Sequence, residues 1–183
     1  STGMSNGGNY AAYLSAYYKH KAGVSHCAQA GAVALTTTTP LQFCMARFDN
    51  NENVGSAGNA AALSNSQTIS SRGVCSKYLI KERSPLYPER FARRGDIPLS
   101  KSAAVFYELK TKGYLNNKNY FTGFSDSLVT AYQADPTAFP ELNSLTPLQK
   151  LFVVEQIDLS VSDHQMYSDF NKATIKFFNT QCL

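Results

Sequence analysis

Short apolar runs alternate along this chain with small-residue stretches of helical period and with polar turns. Residues 1–8, rich in Gly, Ser and Asn, read as a turn. Residues 9–20 predict a helix in which Ala11, Ala12, Leu14, Ser15 and Tyr18 make a small-residue face, suited to lying close against a sheet. Residues 31–36 (Gly-Ala-Val-Ala-Leu-Thr) and 41–47 (Leu-Gln-Phe-Cys-Met-Ala-Arg) are nearly unbroken apolar runs bracketed by turn signals, the pattern of strands covered on both faces of a parallel sheet. Pro40 stands just before the second run, where a strand tolerates it. A polar loop follows from Asp49 to Gly55, and the Ala-rich residues 56–70 predict a second helix. Ser100–Lys112 predicts another, capped by serine and stopped by Gly113. Pro136, Pro140 and Pro147 cut the next stretch into short pieces. Residues 151–161 (Leu-Phe-Val-Val-Glu-Gln-Ile-Asp-Leu-Ser-Val) read as a last strand, and 164–179 as a last helix with Met166, Phe170, Ala173 and Phe177 on one face.

This order predicts an α/β fold of parallel strands with flanking helices. It occupies residues 1–183 as one domain, with 72–150 as an inserted, mostly helical cap or lid before the last strand. Three strands make a thin sheet, and the first of them would have an unpaired edge.

Composition narrows the partners. The chain has 183 residues, 43% apolar and 16% charged, with a net charge of +4, so it can build a sizeable core. The basic residues are scattered along it, which gives no reason to expect a nucleic-acid partner. No apolar run reaches the roughly 18 residues of a membrane span. The four cysteines, Cys27, Cys44, Cys75 and Cys182, contain no Cys-x-x-Cys pair, so no metal site is expected. Their even number fits either disulfides or four buried thiols. Together with low charge and abundant Ser, Thr and Asn it points to a secreted or periplasmic protein, a cytoplasmic one staying open.

The chemistry lies at the start. Gly3-Met4-Ser5-Asn6-Gly7, extended by Gly8, has the Gly-x-Ser-x-Gly form of a nucleophile elbow. A serine that both a base and a substrate must reach stands on a sharp strand-to-helix turn, and glycines beside it let strand and helix approach. The backbone N–H of Asn6 would donate to an oxyanion, and the following helix points its positive end at the same place.

The elbow and its small-residue helix resemble those of polyhydroxybutyrate depolymerases and feruloyl esterases, and more loosely those of prolyl-oligopeptidase-like enzymes, all serine hydrolases of the α/β-hydrolase fold. The resemblance covers residues 1–60 and 150–180. It implies that the chain corresponds to the C-terminal part of that fold, a catalytic half-domain whose N-terminal strands come from elsewhere, such as a second polypeptide. It also implies an acid after the third strand, where Asp49 stands, although Met45-Ala46 replace the family's His-Gly pair before it. Glu52 is the second choice. The base should follow the last strand, where His164 stands; Asp163 suits a helix cap, and His20 and His26 lie elsewhere in the order. Ser5, Asp49 and His164 follow one another in the α/β-hydrolase order. The expected activity is hydrolysis of carboxylic esters through an acyl-enzyme on Ser5, with no cofactor. A serine peptidase of the same fold, or a non-catalytic binding or adhesion module, are the alternatives.

Overall fold

Side chains of Leu41–Ala46 alternate between two apolar environments, and that alternation sets the layers. Leu41, Phe43 and Met45 cluster with Ala12, Ala34, Ala62 and Ile69, whereas Cys44 and Ala46 cluster with Val24, Phe170 and Phe177. A strand buried on both faces needs a layer on each side. The computed structural model describes residues 1–51, 54–93, 96–161 and 168–181. Among these, four strands, β1 (Thr2–Met4), β2 (Gly23–His26), β3 (Leu41–Ala46) and β4 (Ser76–Lys81), pair in parallel in the order β1-β2-β3-β4. The connections α1 (Asn6–Tyr17), α2 (Ala32–Leu35) and α3 (Gly55–Ser71) contribute to the first cluster, and α8 (Ser168–Thr180) to the second.

Ser1–Glu82 and Ser162–Leu183 form one unit, and Arg83–Val161 form another. The second is built of helices α4 (Leu99–Thr111), α5 (Ser125–Ala134), α6 (Pro140–Asn143) and α7 (Pro147–Val161), with two short 3-10 turns. Its own core gathers Leu86, Phe91, Phe106, Phe121 and Ile157. The Glu108 carboxylate on α4 accepts the N–H groups of Glu141 and Leu142, both at 2.9 Å, and so caps the four-residue α6 from outside. No helix among the described residues is long and apolar enough to cross a membrane.

Several expected elements are corrected. Residues 31–36 hold the short helix α2, and the strand lies earlier, at Gly23–His26. It is built of small and polar residues because α1 lies directly on it. A Cβ on Gly23 would stand 2.3 Å from Ser15 Oγ, which leaves no room for the large side chain that marks a strand. Residues 151–161 are helical, within α7, and its buried positions Val153, Gln156, Ile157, Ser160 and Val161 follow the helical period. Polar Gln156 and Ser160 sit inside the buried stripe, while exposed Leu151 lies outside it, so the run looks like a strand. The last strand is instead β4, within 72–150, and it precedes the helical unit, so the helices follow the last strand rather than interrupting the sheet before it. Lys77 and Lys81 disguise β4, which is only half buried. Cys75 is disulfide-bonded, whereas Cys27 and Cys44 are buried thiols outside any disulfide.

His26, at the C-terminal end of β2, is 1% exposed. Its Nε2 lies 3.3 Å from Thr174 Oγ1 on α8, its ring is 5.8 Å from that of Phe170, and among the described residues its Nδ1 has no hydrogen-bond partner. Burial disfavours the imidazolium and pulls the pKa down from 6.5 to about 4. In the unfolded chain the group takes up its proton near pH 6.5; in the folded chain it does not until about pH 4. Folding stability is therefore lost as pH falls through this window, by about 2 kcal/mol between pH 7 and pH 5. Urea unfolding at the two pH values measures the loss, and His26→Gln should remove most of it. An unchanged slope in the variant would exclude His26 as its source.

Candidate functional site

β1 delivers the chain to Ser5, and α1 begins at the next residue. Ser5 has φ 56° and ψ −130°, a backbone conformation that costs a non-glycine residue about 1–3 kcal/mol. Two sets of bonds hold it there. The Ser5 N–H donates to His26 O at 2.9 Å, which continues the β1–β2 ladder. The Ser5 carbonyl accepts the N–H groups of Gly8 at 2.8 Å and Asn9 at 3.2 Å, which opens α1 at once. Such a turn brings strand and helix into contact. A Cβ on Gly3 would stand 2.1 Å from Gly7 O, and one on Gly8 would stand 2.8 Å from Ser25 Oγ and 2.9 Å from His26 O. A Cβ on Gly7 would meet nothing within 4 Å. Close approach thus demands glycine at 3 and 8, and Gly7 takes part through its carbonyl.

Because the strands are parallel and in sequential order, the residues just after β1, β2 and β3 gather at one end of the sheet. These are Ser5, Cys27 and Asp49, and this C-terminal end is where open parallel sheets place their ligands. Ser5 lines an opening of about 270 Å³ there, together with Asn6, Asn9, Cys27, Gln29 and Asn51. Asn6 is exposed, and its N–H falls in the first turn of α1, where a helix has no internal acceptor to offer.

Asp49 is 7% exposed. Its Oδ1 accepts the N–H of Asn51 at 2.9 Å, which turns the loop back toward the opening that Ser5 lines. The side chain of Asn59 on α3 braces the same exit, donating to Ala46 O at 2.8 Å and Arg47 O at 3.3 Å. The Cys27 thiol bonds to the Asp49 side chain. Desolvation first, and then the charge of Asp49, push that thiol up to about 12, so it remains protonated and donates. Cys27 itself has φ 51°, and its N–H donates to Cys44 O at 2.8 Å.

Of the predicted residues, Ser5, Asn6 and Asp49 fall at the same end of the sheet, and Gly3, Gly7 and Gly8 build the turn beneath Ser5. His164, like Glu52 and Asp163, lies outside the described residues. His20 is exposed beyond the C-terminal end of α1, away from the elbow, with Nδ1 3.4 Å from Ser1 Oγ. His26 meets Ser5 through its carbonyl, while its ring engages Thr174. Cys27 was missed as a partner of Asp49. In sequence it is one of four cysteines, and nothing links it to a residue 22 positions later until β2 and β3 are known to pair. Among the described residues no three His, Cys, Asp or Glu side chains stand together as a metal site. Compared with family models, curated proteins and solved structures, the chain matches none of them.

Proposed function

We propose that this chain is a serine hydrolase that cleaves carboxylic esters through an acyl-enzyme on Ser5. The observation that carries the reading is the backbone of Ser5. A non-glycine residue is held at positive φ between a parallel strand and a helix N-terminus, over glycines that a methyl group would displace. Strain kept at one residue by so much surrounding structure is how a fold presents a side chain for chemistry.

The roles then follow from chemistry. His164 takes the hydroxyl proton as Ser5 Oγ attacks the ester carbonyl, and returns it to the departing alcohol. Asp49 orients that imidazole and stabilises its cation. The Asn6 N–H stabilises the oxyanion, aided by the positive end of α1. Water, activated by the same imidazole, releases the acid. The chemistry so written uses no cofactor. Among the described residues β1 pairs with β2 alone; its outer edge could take a further strand, and a second polypeptide supplying one belongs to this reading. The disulfide at Cys75 favours an oxidising compartment, hence a secreted or periplasmic setting.

A small fluorophosphonate tests the proposal directly. Ser5 should carry the label by peptide mass spectrometry, and Ser5→Ala should lose both the label and p-nitrophenyl acetate hydrolysis. Labelling elsewhere, or equal turnover by the variant, would refute it.

A further inference from the structure

The opening that Ser5 lines holds about 270 Å³, less than the roughly 300–1,000 Å³ of pockets that enclose a drug-sized ligand, so it admits a short group. Its polar side chains come from three segments: Ser5, Asn6 and Asn9 from the elbow and α1, Gln29 from the loop after β2, and Asn51 from the loop after β3. Beyond the serine, all of these are carboxamides, and among the described residues no charged side chain lines the opening. A carboxamide carries two N–H donors and an acceptor oxygen. Little of that capacity is spent within the protein. Asn9 gives its Oδ1 to the Gly31 N–H at 3.2 Å; its Nδ2, like the side chains of Asn6 and Gln29, has no hydrogen-bond partner among the described residues.

We propose that this opening selects esters bearing, next to the carbonyl that Ser5 attacks, a short uncharged group that both donates and accepts hydrogen bonds, a hydroxyl or an amide. The inference rests on the hydrolase reading above and names its substrate class. Three kinds of group compete for the place. An alkyl group takes water off the carboxamides and returns no hydrogen bond, which costs free energy at each amide it covers. An ion gives up part of its hydration and meets no opposite charge on the walls. A hydroxyl or amide replaces the displaced water bond for bond, because carboxamides offer donor and acceptor together. Asn6, Asn9 and Gln29 are exposed, so each such bond is worth only a few-fold in rate, and the preference is the sum of several. Convergence of carboxamides from three segments on one nucleophile is what carries the assignment.

The test compares hydrogen-bonding esters with hydrocarbon isosteres: p-nitrophenyl glycolate with propionate on the acyl side, and 2-hydroxyethyl with propyl acetate and glycolamide with isobutyl acetate on the alcohol side. Each kcat/KM ratio is divided by the same ratio for hydrolysis by hydroxide alone, which removes intrinsic reactivity. At least one corrected ratio should exceed about 5 in the wild type, and the pair that shows it identifies which side of the ester, and which of the two groups, the opening takes. Gln29→Leu and Asn6→Leu, the latter keeping its backbone N–H, should each lower that ratio about threefold. Tyr17→Phe, on α1 but outside the opening, should keep the wild-type value. A readout without catalysis is the NMR shift of the Asn6 and Gln29 side-chain amides, expected on adding N-(2-hydroxyethyl)acetamide and much smaller with N-propylacetamide. Corrected ratios all near 1, or a preference that both leucine variants leave unchanged, overturn the proposal. Amide shifts without ester turnover or Ser5 labelling would instead overturn the hydrolase reading and leave the opening as a site for neutral polar groups. Turnover and labelling with neither preference nor shifts would overturn the substrate class alone.

Discussion

Asp49→Asn should lower kcat for p-nitrophenyl acetate by about four orders of magnitude while the protein stays folded. Asparagine has nearly the same shape, and its side-chain oxygen can still accept the Asn51 N–H that Asp49 Oδ1 now takes at 2.9 Å. The loop should keep its course, with a stability change of about 1 kcal/mol from a weaker hydrogen bond. On the proposed mechanism, what is lost is a negative charge to stabilise the His164 imidazolium and an acceptor-only group to take its imidazole N–H. An amide presents a donor there as readily as an acceptor, and the histidine then holds its proton on the wrong nitrogen. Paired measurements settle it: kcat by spectrophotometry and unfolding by urea. A kcat within tenfold of wild type, with stability intact, would remove Asp49 from the mechanism and turn attention to Glu52.

Cys27 gives this expectation a finer edge. Its thiol stays protonated because burial and the neighbouring carboxylate both oppose the thiolate, so it serves Asp49 as a weak donor and adds no competing charge. A carboxylate with about four lone-pair sites can take the Asn51 N–H, the thiol and an imidazole N–H together. The environment of Asp49 is thus compatible with the acid's role, and its partners come from two separate loops, after β2 and after β3.

What could be read from the sequence divides along physical lines. α1, β3, α3 and α4 announce themselves because local pattern and tertiary demand coincide: β3 is apolar except at Gln42 because helices cover both its faces. β2 breaks that link. Its sequence, Gly-Val-Ser-His, is small and polar because α1 crosses it at closest approach, and the need for space overrides β propensity. α7 fails in the opposite way. Its stripe of buried positions has the helical period but mixes Gln156 and Ser160 with apolar residues, so counting apolar residues alone finds a strand. The candidate site was legible where one covalent stretch carries it, from Gly3 to Gly8. It was legible in order, though not in contact, for Asp49. It was illegible at Cys27, whose partner is chosen by strand register.

The elbow itself makes the sharpest claim, because motif and structure disagree about which glycines matter. The pentapeptide pattern requires glycine at 3 and 7. The structure places the close contacts at 3 and 8 and leaves open space beside Gly7. Gly3→Ala should therefore cost about 3–5 kcal/mol, since its methyl would meet the Gly7 carbonyl at 2.1 Å, a backbone group that moves only if the first turn of α1 moves. Moving that turn displaces Ser5, its positive φ and the Asn6 N–H together, so labelling by fluorophosphonate should vanish even in whatever fraction stays folded. Gly7→Ala should do the reverse. The added methyl meets nothing, the position is helical, and alanine is better there than glycine by about 0.5–1 kcal/mol, so stability should rise slightly and labelling persist. Thermal unfolding and label incorporation, measured on both variants side by side, distinguish a turn dictated by backbone contact from a mere match of letters. Equal tolerance at both positions would mean that Ser5 does not stand on a strained elbow, and the nucleophile would have to be sought elsewhere.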